Sequence, residues 1–375
     1  MYNHQDLLKE LNENLSLNKK LNIIHSVLKQ KLEFIDRIAV ALYDTKTDLL
    51  KTFIYSSSEE HPLTFYEAKL SETSSLKEIV NLKRPRVVND LAIFDRNKAK
   101  HSQKILASGY GSSYTLPMYL NGTFWGFVFF NSYQKNYFSD EILFDLDIIG
   151  HLISSITTNE LRTVKTMLAA LKTANDMVHY RDPETGGHLN RMARFSRLIA
   201  QDLAQHGIYK ITDEFIEWIY AFSPMHDVGK IGIPDNVLLK PGKLNTEEFE
   251  IMKTHTLKGQ AIINSMIENF NLESFDGIDI LRNIATCHHE TMDGQGYPFG
   301  LKNGEIPLEA RIIAVADIFD ALTSKRPYKL AWSNEDAFSL LERLAKDKLD
   351  QNCVSALMRN QDKILEIQVK FQDTE

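Results

Sequence analysis

Two cysteines in 375 residues, Cys287 and Cys353, leave no room for a disulfide framework, so the fold must rest on packed cores and suits a reducing compartment. Long apolar runs are missing as well. The most apolar stretch, Phe124 to Phe130, is far shorter than the roughly 20 residues that cross a bilayer as a helix. The segment from Met1 to Asp6 is polar and holds no apolar signal core. These absences predict a cytoplasmic protein without membrane association. Basic residues are not in excess: 43 Lys+Arg stand against 50 Asp+Glu, a net charge of -7. That argues against a nucleic-acid polymer as partner, but it is compatible with a local basic pocket for one small phosphorylated molecule. What remains is ordinary globular material, 43% hydrophobic and 25% charged, enough for two or three domains.

The first part of the chain alternates helical and strand-like patterns. Residues 5 to 35 carry helical spacing through Leu7, Leu8, Leu11, Leu15, Leu21, Ile24, Val27 and Leu28. Arg37 to Tyr43 and Leu49 to Tyr55 read as a hairpin around Asp44-Thr45-Lys46-Thr47. Pro85 to Asp90 suits a short strand. Ser113 to Tyr119 and Thr123 to Asn131 flank Asn121-Gly122, the strongest short hairpin signal. A helix then starts with Ser139 or Asp140 as its cap. This order, with the stretch from Leu116 to Phe130, resembles a GAF domain, a small α/β sensor module. The resemblance implies a pocket for a cyclic nucleotide, haem or bilin, or a dimerising domain with no ligand at all. No cysteine lies in this half, which excludes a thioether-linked bilin. His25, His61 and His101 are the histidines available to haem, although scattered single histidines are more often structural.

From Asp140 the helical pattern runs to about Tyr180. Ile142, Leu146, Ile149, Ile153 and Ile156 form a heptad-like seam. It shifts phase and resumes as Leu161, Val164, Leu168, Leu171, Asn175 and Val178. Such a seam serves either a helix packed on its own domain or, the reading preferred here, a parallel dimer helix linking two domains. Beyond Tyr180 the segments 188–205, 212–227, 246–268, 277–289, 308–323 and 334–346 have helical spacing and strand-like runs are absent. The expectation is a domain at 1–155, a linking helix at 140–180 and an all-α domain at 165–375.

Five places in the helical half carry ligand-type side chains beside apolar helix or tight Gly turns. Glu184 and His188 sit four apart. His226-Asp227 closes an apolar run and precedes Val228-Gly229-Lys230. His255 stands alone. His288-His289 opens a Gly-rich turn through Gly294, Gly296, Tyr297 and Pro298, and Asp317 returns inside a second apolar run. Each piece alone has an ordinary structural reading: a core histidine, a solvated loop carboxylate, a helix cap. Their conjunction points to a metal centre built between helices of a bundle, and histidines mixed with carboxylates suit iron, manganese and similar ions.

These motifs, with Leu239 to Lys243 and with Ala316-Asp317 continuing to Lys329, resemble the HD-GYP branch of the HD superfamily, the bacterial cyclic-di-GMP phosphodiesterases. The match covers roughly 165 to 350. The fold it implies is an α+β N-terminal GAF-like sensor domain joined by a long helix to an all-α HD-type helical bundle. It implies His188, His226, Asp227, His255, His288, His289 and Asp317 as metal ligands, with Asp227 bridging two ions. Glu184 matches the extra carboxylate of members with a third metal, so trinuclear iron or manganese is the expected cofactor. Asp227 and Lys230 become the catalytic residues, and Lys230, Tyr297, Arg326 and Lys329 the substrate-binding ones. Thr256 departs from the family's usual proline. The implied partners are cyclic-di-GMP and a second copy, a homodimer formed through the linking helix and the GAF-like domain.

Phosphodiester hydrolysis needs a hydroxide at neutral pH, an in-line approach and neutralised phosphoryl oxygens, and paired metals supply the first and part of the last. Lys230 can reach a phosphate; its plain alternative is a surface lysine at a helix end. Gly294, Gly296 and Pro298 serve conformation, and Glu290 and Asp293 either orient the histidines or hold the turn. The expected reaction is hydrolysis of cyclic-di-GMP to pGpG and onward to GMP. Two other readings fit the same residues: a hydrolase of another cyclic dinucleotide, and a cyclic-di-GMP receptor without turnover.

Overall fold

The computed structural model describes residues 5–13, 15–58, 67–94, 107–179, 186–270, 272–273, 275, 277–324 and 331–372. The chain divides into two compact units, Met1–Val164 and Lys165–Glu375.

The first unit is a six-stranded antiparallel sheet with helices. Helix α1 (Leu17–Lys29) is capped by Ser16, whose hydroxyl accepts from the Lys19 amide. Strands β1 (Arg37–Asp44) and β2 (Leu49–Ser57) pair as the expected hairpin. A three-residue edge strand β3 (Glu67–Lys69), helix α2 (Ser74–Leu82) and strand β4 (Arg86–Val88) follow. Strands β5 (Ser112–Leu120) and β6 (Thr123–Ser132) form the second hairpin. Asn121 and Gly122 both take positive φ, 50° and 77°, as the tight two-residue turn demands. The sheet order is β3-β2-β1-β6-β5-β4. The alternation of β1 and β6 buries Ile38, Val40, Val128 and Phe130 on one face.

His25 is spoken for. Its Nδ1 lies 2.8 Å from Ser56 Oγ and its Nε2 2.9 Å from the Ile35 carbonyl, and burial depresses its basicity. Both ring nitrogens hold α1 to β2 and the loop before β1, so His25 is not an axial haem ligand in this conformation. His61 and His101 lie outside the described residues.

Helix α3 (Asp140–His179) spans 40 residues and crosses the division between the units. Part of its predicted seam is used inside the chain: Leu146 and Ile153 are buried, and Ile153 lines the same apolar gap as Leu17, Leu21 and Ile54.

Among the described residues the second unit contains helices and turns only. They are α4 (Gly186–Gln205), α5 (Asp213–Phe222), α6 (Asp235–Leu238), α7 (Thr246–Lys253), α8 (His255–Phe270), α9 (Ile278–Cys287), α10 (Leu308–Thr323), α11 (Asn334–Leu344), α12 (Gln351–Met358) and α13 (Gln361–Lys370). Their apolar stripes meet in a core that includes Phe195, Phe222, Leu281, Ile313, Phe319 and Leu357. Two expected helices end earlier than their spacing suggests. The 212–227 segment leaves the α-helix at Phe222 and tightens into a 3-10 turn, Ser223–Met225, because Pro224 has no amide to continue the ladder. The 246–268 segment breaks at Thr254, whose hydroxyl bonds back to the Ile251 carbonyl. Both breaks fall immediately before a histidine that the sequence singles out.

Candidate metal centre

The candidate ligands come from helix ends rather than helix middles. His188 is in the first turn of α4. His226 and Asp227 lie between two 3-10 turns, Ser223–Met225 and Val228–Gly232. His255 opens α8, and His288-His289 follows the end of α9. Among the described candidates, Asp317 alone stands away from a helix end, within α10. Gly229 lets these ends converge: a Cβ there would sit 1.8 Å from the His255 carbonyl oxygen, so no other residue fits without moving backbone.

Two groups of side chains result. His188, His226 and Asp317 form one; Asp227, His255, His288 and His289 form the other, and within each group the ligand atoms lie within 4.8 Å of one another. Asp227 joins them. Its Oδ2 is 3.2 Å from His226 Nε2, while its Oδ1 is 3.2 Å from His255 Nε2 and 3.7 Å from His288 Nε2. Across the first group, Asp317 Oδ1 is 3.8 Å from His188 Nε2 and 3.9 Å from His226 Nε2.

The protons on these imidazoles can be placed from their other nitrogens. His226 Nδ1 is 3.0 Å from the Ser223 carbonyl, His255 Nδ1 2.8 Å from that of Met252, and His288 Nδ1 2.9 Å from that of Ile284. A carbonyl only accepts, so each Nδ1 carries the hydrogen. Burial lowers the pKa of His255 to about 4 and, together with His288, holds His289 well below the ordinary imidazole range. Burial pushes the Asp227 carboxyl up, but Lys230 and His226 outweigh it and keep that group well below the usual carboxylate range. Near neutral pH, then, His255 Nε2 presents a lone pair to a carboxylate oxygen 3.2 Å away. Acceptors facing acceptors in a buried site repel one another unless a cation lies among them. His188 Nε2 and Asp227 Oδ1 are likewise buried and make no hydrogen bond. The donor set fits divalent metal.

Lys230 Nζ lies 2.7 Å from Asp227 Oδ2. Tyr297 packs against His289 in a tilted arrangement at a centroid distance of 4.7 Å and is 6.3 Å from His255; burial raises its hydroxyl far above the normal phenol value. The turn bearing it is held from below. Glu290, 3% exposed, accepts from the Phe299 amide at 2.7 Å and the Leu301 amide at 3.0 Å. Asp293 accepts from Thr291 Oγ1 and the Gln295 amide. Of the two roles open to these carboxylates, both hold the turn. Gly296 packs so tightly on Glu290 and Thr291 that a Cβ would meet the Thr291 nitrogen at 2.4 Å. Glu184, Arg326 and Lys329 lie outside the described residues.

The sequence reading missed Asp320. It is fully buried, and its Oδ2 takes the hydrogen of His188 Nδ1 at 2.8 Å. Arg191 donates to it through Nε at 2.7 Å and Nη2 at 3.1 Å. These partners hold Asp320 below the ordinary carboxylate range against the opposing push of its burial. A signal existed: Asp317 and Asp320 are three apart on one helix, hence on one face.

Residues 172–353 match the HD domain family. A cyclic di-GMP phosphodiesterase of Vibrio cholerae serotype O1 is 36% identical over 241 residues, 63% of this chain and 48% of that protein. The 3'3'-cGAMP-specific phosphodiesterase 2 of the same organism is 35% identical over 196 residues, 52% of this chain and 35% of that protein. The chain thus spans half or less of the length of these two relatives. Over 41% of this chain and 91% of the other, the fold is similar to the phycocyanobilin-bound GAF domain from a cyanobacterial phytochrome, at 17% identity and a TM-score of 0.33.

Proposed function

We propose that the HD domain carried by residues 172–353 is a metal-dependent phosphodiesterase of the HD-GYP type that hydrolyses cyclic di-GMP to pGpG and then, in a second step, to GMP. The observation that carries this reading is the lone pair of His255 Nε2 set 3.2 Å from Asp227 Oδ1, in a group of Asp227, His255, His288 and His289 whose ligand atoms lie within 4.8 Å of one another. His188, His226 and Asp317 would hold one ion and Asp227, His255, His288 and His289 a second. Glu184 supplies a third site, and iron or manganese fills the set. Bound divalent ions lower the pKa of water and neutralise phosphoryl oxygens.

The chain's own residues do the rest. Asp227 stays anionic and keeps the two histidine groups in register. Lys230, a point charge on a flexible stem, exchanges its contact with Asp227 for a non-bridging phosphate oxygen. Tyr297, braced on His289, forms the wall that sets the substrate over Asp227. Arg326 and Lys329 clamp the second phosphate. The N-terminal unit acts as a GAF-like sensor that regulates hydrolysis through α3, in a homodimer.

The test is turnover of cyclic di-GMP by protein prepared anaerobically with iron or manganese, with metal counted by elemental analysis and products separated by chromatography. No hydrolysis at full metal occupancy would sink the enzyme reading. A second substrate, 3'3'-cGAMP, belongs in the same assay because a relative with 35% identity is named for it; a higher kcat/KM on cGAMP would move the assignment to that dinucleotide.

A further inference from the structure

We infer that Phe371, beyond residue 353 where the HD match ends, is a positioning element of the metal centre, acting on His188 through Arg191 and Asp320. The inference rests on the proposed role of His188 as a ligand.

Unlike His226, His255 and His288, whose Nδ1 atoms bond to carbonyls three or four residues back, His188 takes its orientation from a carboxylate 132 positions away. That carboxylate is itself held. Asp320 Oδ1 accepts from Arg191 Nε, and Oδ2 accepts from Arg191 Nη2, Ser324 Oγ and His188 Nδ1. Arg191 is 5% exposed in its side chain, so its donors are matched inside the fold. The Phe371 carbonyl accepts from its Nη1 at 2.8 Å.

The Phe371 ring is anchored too. Arg194, one turn along α4 from Arg191 on its neighbouring stripe, places Cζ 3.8 Å from the ring centroid. Arg194 is 7% exposed; its Nη1 donates to the Asn190 carbonyl, its Nε and Nη2 make no hydrogen bond, and the Phe371 face, nearer than that of Tyr220, offsets part of its burial. The helix before Phe371 is fixed independently: Ile364 is fully buried, and Gln368 and Asn334 exchange amide hydrogen bonds at 3.0 and 2.9 Å. The result is a strap whose end completes the hydrogen bonds of the arginine that aims Asp320 at His188. Partners of this kind fix tautomer and ring direction of a ligand and typically change metal affinity about 10–100-fold when lost.

The experiment compares the wild-type chain, a chain ending at Lys370, Asp320→Asn, and the last two combined. Mn2+ is counted by elemental analysis, its dissociation constant is measured by chelator competition, and folding is checked by circular dichroism. The expected result is that each single change weakens one Mn2+ site about tenfold or more. The combined variant should be no weaker than the weaker single one, because both act along one path. Phe371→Tyr, which keeps ring and carbonyl, should bind as wild type. Wild-type affinity in the chain ending at Lys370, or losses that multiply in the combined variant, would overturn the inference. If Asp320→Asn does not fold, Arg191→Lys probes the same link. His188→Ala separates the two levels: retention of the full Mn2+ count there would overturn the ligand reading itself.

Discussion

In the proposed site Lys230 and a bound metal ion would compete for one carboxylate, and that competition yields a counterintuitive expectation for Lys230→Met. The ammonium sits 2.7 Å from Asp227 Oδ2 with its side chain 19% exposed, so it is only partly screened. Two unit charges about 4 Å apart interact with about 1 kcal/mol in water and about 4 kcal/mol at an effective dielectric near 20. Removing the ammonium relieves repulsion of that order for each unit of charge on the incoming ion. For a divalent ion that doubles to about 2–8 kcal/mol, and since about 1.4 kcal/mol is a factor of ten, Mn2+ should bind at least about tenfold more tightly to the variant. Methionine keeps the stem volume, so packing is nearly preserved. Turnover should fall at the same time, because the group assigned to the phosphate is gone. The assay is chelator competition for Mn2+ alongside steady-state hydrolysis of cyclic di-GMP. Mn2+ affinity equal to or weaker than wild type would refute the electrostatic reasoning, whatever happens to the rate.

Three further outcomes follow from the same geometry. The pKa of His255 is lowered from 6.5 to about 4 by burial, so the unfolded chain holds the extra proton between those values and stability must fall as the pH drops through that window. For metal-free protein the loss is about 3 kcal/mol by pH 4, and urea unfolding should show the slope flattening in His255→Gln; an unchanged slope rejects it. Glu290→Gln turns one of the two oxygens accepting from Phe299 and Leu301 into a donor facing an amide; it should cost about 2–3 kcal/mol and lower kcat/KM through the loosened Tyr297 turn. Gly229→Ala puts a Cβ 1.8 Å from the His255 carbonyl and should cost about 3 kcal/mol while weakening Mn2+ binding; wild-type values of both would contradict the assigned backbone packing.

Local signals made the sheet and most helices legible. Asn121-Gly122 announced its hairpin because two positive φ values admit few residue types. Strand β3, three residues at the sheet edge, is too short to show alternation. Helices α12 and α13, eight and ten residues long, were not called, since apolar spacing over two turns is weak. Thr254 hid the break between α7 and α8 because a hydroxyl bonding back to its own helix leaves no mark in hydrophobic periodicity.

The same division runs through the metal centre. Three imidazoles are aimed by carbonyls of their own chain segment, those of Ser223, Met252 and Ile284. A histidine just past a helix break thus has its Nδ1 hydrogen claimed and its Nε2 turned outward by local geometry alone. That is why helix ends, and not a spacing rule along one helix, collect these candidate ligands, and why the histidines were legible only through their conjunction, since each alone reads as an ordinary core residue. His188 is different in kind. It stands in the first turn of α4, and its Nδ1 is claimed by Asp320 on α10. No window of sequence contains both partners, so the spacing of Asp317 and Asp320 could mark Asp320 as sharing a face with a candidate ligand, but not as the group that aims His188. A non-local link of this kind can be adjusted without touching a candidate ligand, so on the proposed reading the Arg191–Asp320 pair is the place where the fold could tune the His188 group independently of the Asp227–His255–His288–His289 group.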